Sequence, residues 1–147
     1  MRNLMQAMIA TLIVACSTPA PPTPANDATD AESETCLRTK IWEMNRDGWS
    51  VRNFGSVRLA SNTHQSFAVN LYTSRSYSLM ACGVAEARDV ELQLYSPSGE
   101  RVIAVTDQGR QPSVTFTPKE AGQYFLVVRN RTASPTDGSM SWSVLYR

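Results

Sequence analysis

Asp89-Val90-Glu91-Leu92-Gln93-Leu94-Tyr95, running into Ser96-Pro97-Ser98-Gly99, is the stretch on which the fold turns. Apolar and polar side chains alternate across it, so Val90, Leu92 and Leu94 share one face while Asp89 and Glu91 point to the solvent face. That is the two-residue period of a half-buried strand. Proline and glycine then supply the special backbone angles of a tight turn. The same period recurs in Phe67, Val69, Leu71; in Tyr77, Leu79, Ala81; in Val114, Phe116; in Tyr124, Leu126, Val128; and in Trp142, Val144, Tyr146. Weaker strands are expected over 56–60 and 101–106, for a total of about eight. Turn chemistry at Gln108-Gly109, Lys119-Glu120-Ala121-Gly122 and Ser134-Pro135-Thr136-Asp137-Gly138 separates them. Short alternating runs at short intervals predict an all-β, antiparallel sandwich or barrel.

Upstream of the strands the period changes. Leu37, Ile41 and Met44 recur at helical spacing, predicting one short N-terminal helix over 37–48, with Gly48 as a left-handed cap. Trp42 and Trp49 are read as packing anchors for that helix.

Residues 1–15 carry one base, Arg2, and an apolar run from Leu4 to Ala15 that is too short to span a bilayer and suits a signal peptide. The run ends in Ile13-Val14-Ala15-Cys16, which resembles the bacterial lipobox; the resemblance implies cleavage before Cys16 and a lipid on its thiol. Ser17 after it implies, by the same resemblance, the outer membrane. Residues 16–35 hold four prolines and nothing apolar larger than alanine after Cys16, so they are expected to form a Pro/Ala/Thr-rich disordered tether ahead of a folded domain at 36–147.

Cys36 and Cys82 are the two remaining cysteines, and an even number in an oxidising compartment predicts a disulfide. A redox or metal-binding pair would call for C-x-x-C spacing or clustered histidines, which the sequence lacks. Beyond residue 35 there are thirteen bases, eleven of them arginine, against nine acids. This mild excess does not suggest nucleic acid as a partner, though it would favour anionic glycans or lipid head groups.

The block 76–130 resembles the bacterial pre-peptidase C-terminal domain. The likeness rests on a strand opening with Tyr77, the 89–95 strand with Pro97-Ser98-Gly99, Pro112 with Val114 and Phe116, Pro118, and Gly122-Gln123-Tyr124 leading into Phe125-Leu126-Val127-Val128. The resemblance implies a jelly-roll β-sandwich. A free-standing variant carries a cysteine on an N-terminal helix and another after the Tyr77 strand, which supports pairing Cys36 with Cys82. Some members bind calcium. Asp89, Glu91 and Asp107 would be the ligand candidates here, although Asp-Val-Glu-Leu replaces the family's Asp-Leu-Asp-Leu and the acids that cluster in its following loops are reduced to Asp107.

Catalysis finds little to work with. The single histidine, His64, lies in a polar turn, no carboxylate pair stands in an apolar setting, and the seven glycines form no phosphate-cradling loop. The expectation is a non-catalytic lipoprotein of the bacterial envelope, facing the periplasm or the cell surface and acting as a binding or accessory module. Its membrane partner is reached through the lipid anchor, and its further partner is an envelope protein or glycan. Tyr72, Arg75, Arg88, Tyr95 and Arg110 are the candidate binding residues. An assembly protein that accepts a partner strand is the alternative, and a hydrolase the remote one.

Overall fold

Among the described residues, eight strands take the order that the alternation predicts: β1 Ser50–Leu59, β2 His64–Leu71, β3 Tyr77–Gly83, β4 Val90–Tyr95, β5 Arg101–Val105, β6 Ser113–Phe116, β7 Gly122–Asn130 and β8 Gly138–Tyr146, after one helix, α1 Asp27–Arg46. The computed structural model describes residues 27–106 and 108–147. Cys16, the signal segment and Asp107 lie outside the described residues. No helix among the described residues is long and apolar enough to cross a membrane.

Every strand pair is antiparallel. The sheets run β1-β8-β3-β6 and β2-β7-β4-β5, which is the strand order of a jelly roll. Between them the inward residues of the alternating runs meet: Leu79, Val144, Leu92, Leu94, Leu126 and Val128 are fully buried. A second, smaller core lies on the outer face of the β1-β8-β3-β6 sheet, where α1 packs and Leu37, Trp49, Met80, Cys82 and Leu145 come together. The Cys36–Cys82 disulfide ties α1 to β3 at this core.

The helix starts ten residues before the expected 37, so residues 27–35 are not tether. Its inward stripe runs Asp30, Ser33, Leu37, Ile41, Met44, and the first two members are polar, so hydropathy alone could not reveal it. Ser33 is fully buried and its hydroxyl hydrogen-bonds that of Ser141 at 2.9 Å, which in turn bonds Ser56 at 2.8 Å. Ser139, Ser141 and Ser143 of β8 are all buried beneath the helix. Their small side chains keep the sheet surface low where the helix sits.

At its other end α1 stops at Arg46. Gly48 takes φ +85°, the Trp49 N–H bonds the Met44 carbonyl and the Gly48 N–H that of Asn45, a Schellman cap. Trp49 then folds back into the second core with Met44. Trp42 does not serve as a packing anchor; it is 62% exposed, because it stands off the inward stripe.

Two further expectations are corrected. β1 starts at Ser50 rather than near 56, because an irregularity in register between Val51 and Asn53 breaks the alternation that would have announced it. Glu91 does lie on the outer face of its sheet but is only 6% exposed, since Arg129 flanks it in register and the Gln93 amide donates to it at 2.7 Å.

Candidate functional site

Strand order decides which ends meet. β1 begins where β8 finishes, with Ser50 opposite Tyr146, and β3 begins there too, with Tyr77 opposite Tyr146. The 72–76 turn leads into β3, and Ser76 exchanges both backbone hydrogen bonds with Arg147. The Tyr72 N–H donates to the buried Tyr77 phenol oxygen at 2.9 Å, which fixes that turn. The C-terminal end of α1 arrives at the same end of the sandwich, because the helix runs along β8 from Ser141 to Leu145.

Four arginines lie at this end, each over an aromatic ring. Arg52 lies over Tyr72 at 5.2 Å from the ring centroid, Arg75 over Tyr146 at 5.0 Å, Arg147 over Trp49 at 4.7 Å and Arg46 over Trp42 at 5.1 Å. Each such contact is worth about 0.5–1 kcal/mol at an exposed site. None of the four makes an ion pair among the described residues. The Arg52 Nε is buried with no hydrogen-bond partner among the described residues.

The opposite end holds the ion pairs between α1 and the sandwich. There the acids of α1 meet arginines of the sandwich: Asp30 with Arg58 at 3.3 Å and Glu32 with Arg110 at 3.0 Å, while Asp89 pairs with Arg131 at 3.7 Å. A hydrogen bond from the Ser139 hydroxyl, helped by the Arg58 guanidinium, holds the Asp30 carboxyl below its usual value against the opposing effect of burial. Counting the four acids of 27–35, residues 27–147 hold thirteen acids and thirteen bases, so the excess positive charge expected for the domain disappears. What replaces it is an uneven distribution of ion pairs: acids pair with Arg58, Arg110 and Arg131 at one end, while Arg46, Arg52, Arg75 and Arg147 at the other have no ion pair among the described residues.

The expected binding residues are therefore only partly brought together. Tyr72, 51% exposed, and Arg75 belong to the arginine–aromatic end. Tyr95 lies at the same end but on the outer face of the second sheet, where its hydroxyl donates to Gln93 at 2.7 Å. Arg88 and Arg110 lie at the far end; Arg88 donates to the Ala85 carbonyl at 3.2 Å, and Arg110 is held by Glu32. Arg46, Arg52 and Arg147 were missed, although Trp42 and Arg46 stand four residues apart on a helix, a spacing visible in the sequence.

Of the calcium candidates among the described residues, Asp89 faces Arg131 and Glu91 accepts from the Gln93 side-chain amide. No group of three or more His, Cys, Asp or Glu residues among the described residues is arranged to hold a metal.

No protein-family model matches the sequence, and no curated protein matches it. Among solved structures, the chain is similar to the pre-peptidase C-terminal domain of a collagenase from Bacillus anthracis, with a TM-score of 0.51 at 13% identity over 64% of this chain and 89% of that one. It overlaps less well with PliG, a periplasmic inhibitor of g-type lysozyme from Aeromonas hydrophila, with a TM-score of 0.39 at 11% identity over 65% of this chain and 85% of that one. The first likeness bears out, at the level of fold, the resemblance read from Tyr77 to Val128.

Proposed function

We propose that this protein is a non-catalytic binding module of the bacterial envelope, exported and held to a membrane by a lipid on Cys16, whose arginine–aromatic end engages the carboxylates of an envelope glycan. The observation that carries the reading is the set of four arginines lying over rings at one end without ion pairs among the described residues. A guanidinium lying over a ring keeps its in-plane N–H fork for a carboxylate, and the ring limits the freedom lost on binding. His64, the base a serine-type hydrolase would need, is exposed at the start of β2 and hydrogen-bonds no hydroxyl among the described residues, which favours the non-catalytic reading.

Co-sedimentation with isolated cell-wall sacculi tests it. The protein is expected to pellet with native sacculi and to be released by salt. Sacculi whose carboxyls have been amidated should retain much less, as should native sacculi offered Arg52→Gln/Arg75→Gln/Arg147→Gln. Equal pelleting in all three cases defeats the reading. The assembly alternative draws on β1, a ten-residue edge strand bearing Phe54, 72% exposed, with Trp42 also exposed on α1. It would show instead as one discrete protein adduct on cross-linking in cells.

A further inference from the structure

Among the described residues the helix is the one layer added to the sandwich, and it covers the β1-β8-β3-β6 sheet. The outer face of the other sheet, β2-β7-β4-β5, is not covered by any described residue, and the register lays its side chains out as a grid. His64, Arg129 and Glu91 form one row, Ser66, Val127 and Gln93 the next, and Ala68, Phe125 and Tyr95 the third, with Arg101 opposite Tyr95 on β5. A cavity of about 550 Å³ lies over this grid.

Two features of the floor are unusual for an open sheet face. Glu91 is 6% exposed and Gln93 8%, so a carboxylate and an amide are buried there. They form a chain: the Tyr95 hydroxyl donates to the Gln93 side-chain Oε1, and the Gln93 Nε2 donates to the Glu91 carboxylate, both at 2.7 Å. The chain fixes how Gln93 presents its second N–H and second lone pair, and leaves the Tyr95 oxygen able to accept. Beside it the Arg129 Nε is buried with no hydrogen-bond partner among the described residues. Phe125 and Val127 supply an apolar strip through the middle.

We infer that this groove reads the sugar rings of an acidic oligosaccharide; the inference rests on the proposed glycan reading and deepens it. Gln93 and Tyr95 offer fixed donors and acceptors to ring hydroxyls. Phe125 and Val127 take the apolar ring face, as an aromatic wall with few, oriented polar groups does in small-ligand sites. Arg129 and Arg101 stand at opposite ends, four residues apart along the strands and two strands apart across the sheet, or about 16 Å between their backbones. That separation suits two carboxylates on one chain longer than a single ring. A protein partner is disfavoured because the floor is polar where interface cores are depleted of charge.

The probe is trigalacturonate, with its methyl ester as the uncharged control, titrated into the isotopically labelled protein and followed by amide NMR. Shifts are expected on β2, β4 and β7, from the acid and not the ester. Arg129→Gln should weaken binding by about tenfold, the effect of losing one charge-assisted hydrogen bond. Tyr95→Phe, which removes a single partly exposed hydroxyl, should also weaken it with the amide spectrum otherwise intact. Absence of shifts on this face, equal shifts from the ester, or full affinity in both variants overturns the inference. Because Arg52, Arg75 and Arg147 are not in the groove, retained pelleting on sacculi alongside a failed titration would remove the groove and leave the proposed function standing.

Discussion

Removing the covalent link between helix and sandwich, by replacing both Cys36 and Cys82 with alanine, tests how the two cores are joined. The cysteines are 46 residues apart, and both sit against the second core. In the chain-entropy model a closed loop of that length stabilises the folded state by about 4 kcal/mol, within the 2–5 kcal/mol usual for a small secreted domain. For roughly 120 ordered residues, that corresponds to a fall in Tm of about 15 °C. Alanine leaves the buried surroundings apolar, so most of the loss should come through the unfolded chain, and the urea m-value should rise as that chain expands. The assay is urea denaturation followed by circular dichroism, with and without reductant. Reductant should shift the wild-type midpoint to that of the double variant and leave the variant unmoved. A wild-type midpoint unchanged by reductant, with free thiols confirmed by mass spectrometry, would refute the reasoning.

Three other outcomes are expected. Gly138→Ala places a Cβ 2.6 Å from that of Ala87 and 3.2 Å from its backbone, so thermal unfolding should show a loss of about 1–3 kcal/mol, the range for overpacking a tight site. Asp30 has a lowered pKa in the folded state, so its stabilising contribution is complete above the ordinary carboxylate value and is lost as pH falls through the lowered one. Below about pH 4 the wild type should lose stability more steeply than Asp30→Asn, by a modest margin because the pair is partly exposed. A palmitate analogue supplied to cells should label the wild type and not Cys16→Ser; equal labelling would end the lipid-anchor reading.

The two-residue period made β3, β4, β7 and β8 legible because it reports which residues share a face. It does not report what covers that face. Ser139, Ser141 and Ser143 look like the wet side of β8 but lie under α1, and Glu91 looks solvated but is nearly enclosed. The first half of α1 was illegible for the complementary reason: it docks through Asp30 and Ser33, whose partners Arg58, Ser139 and Ser141 lie far along the chain. Tyr72 and Arg75 could be picked out as an aromatic and a base flanking a turn. Arg52 and Arg147 could not, since only the 1-8-3-6 strand order brings the start of the first strand beside the end of the last.

The position of the disulfide along α1 has a mechanical consequence. Tension applied to the chain ahead of Asp27 would act first on the helix segment before Cys36, which is held by ion pairs and hydroxyl contacts that can release one at a time. Nine residues drawn from helix to extended chain would lengthen the connection by roughly 15–20 Å. At Cys36 the load passes through sulfur to Cys82 on β3, a strand flanked by β8 and β6. The leading segment of α1 is thus a short extensible section in series with a stiff one, and a sustained pull would be absorbed there before it reached the jelly roll.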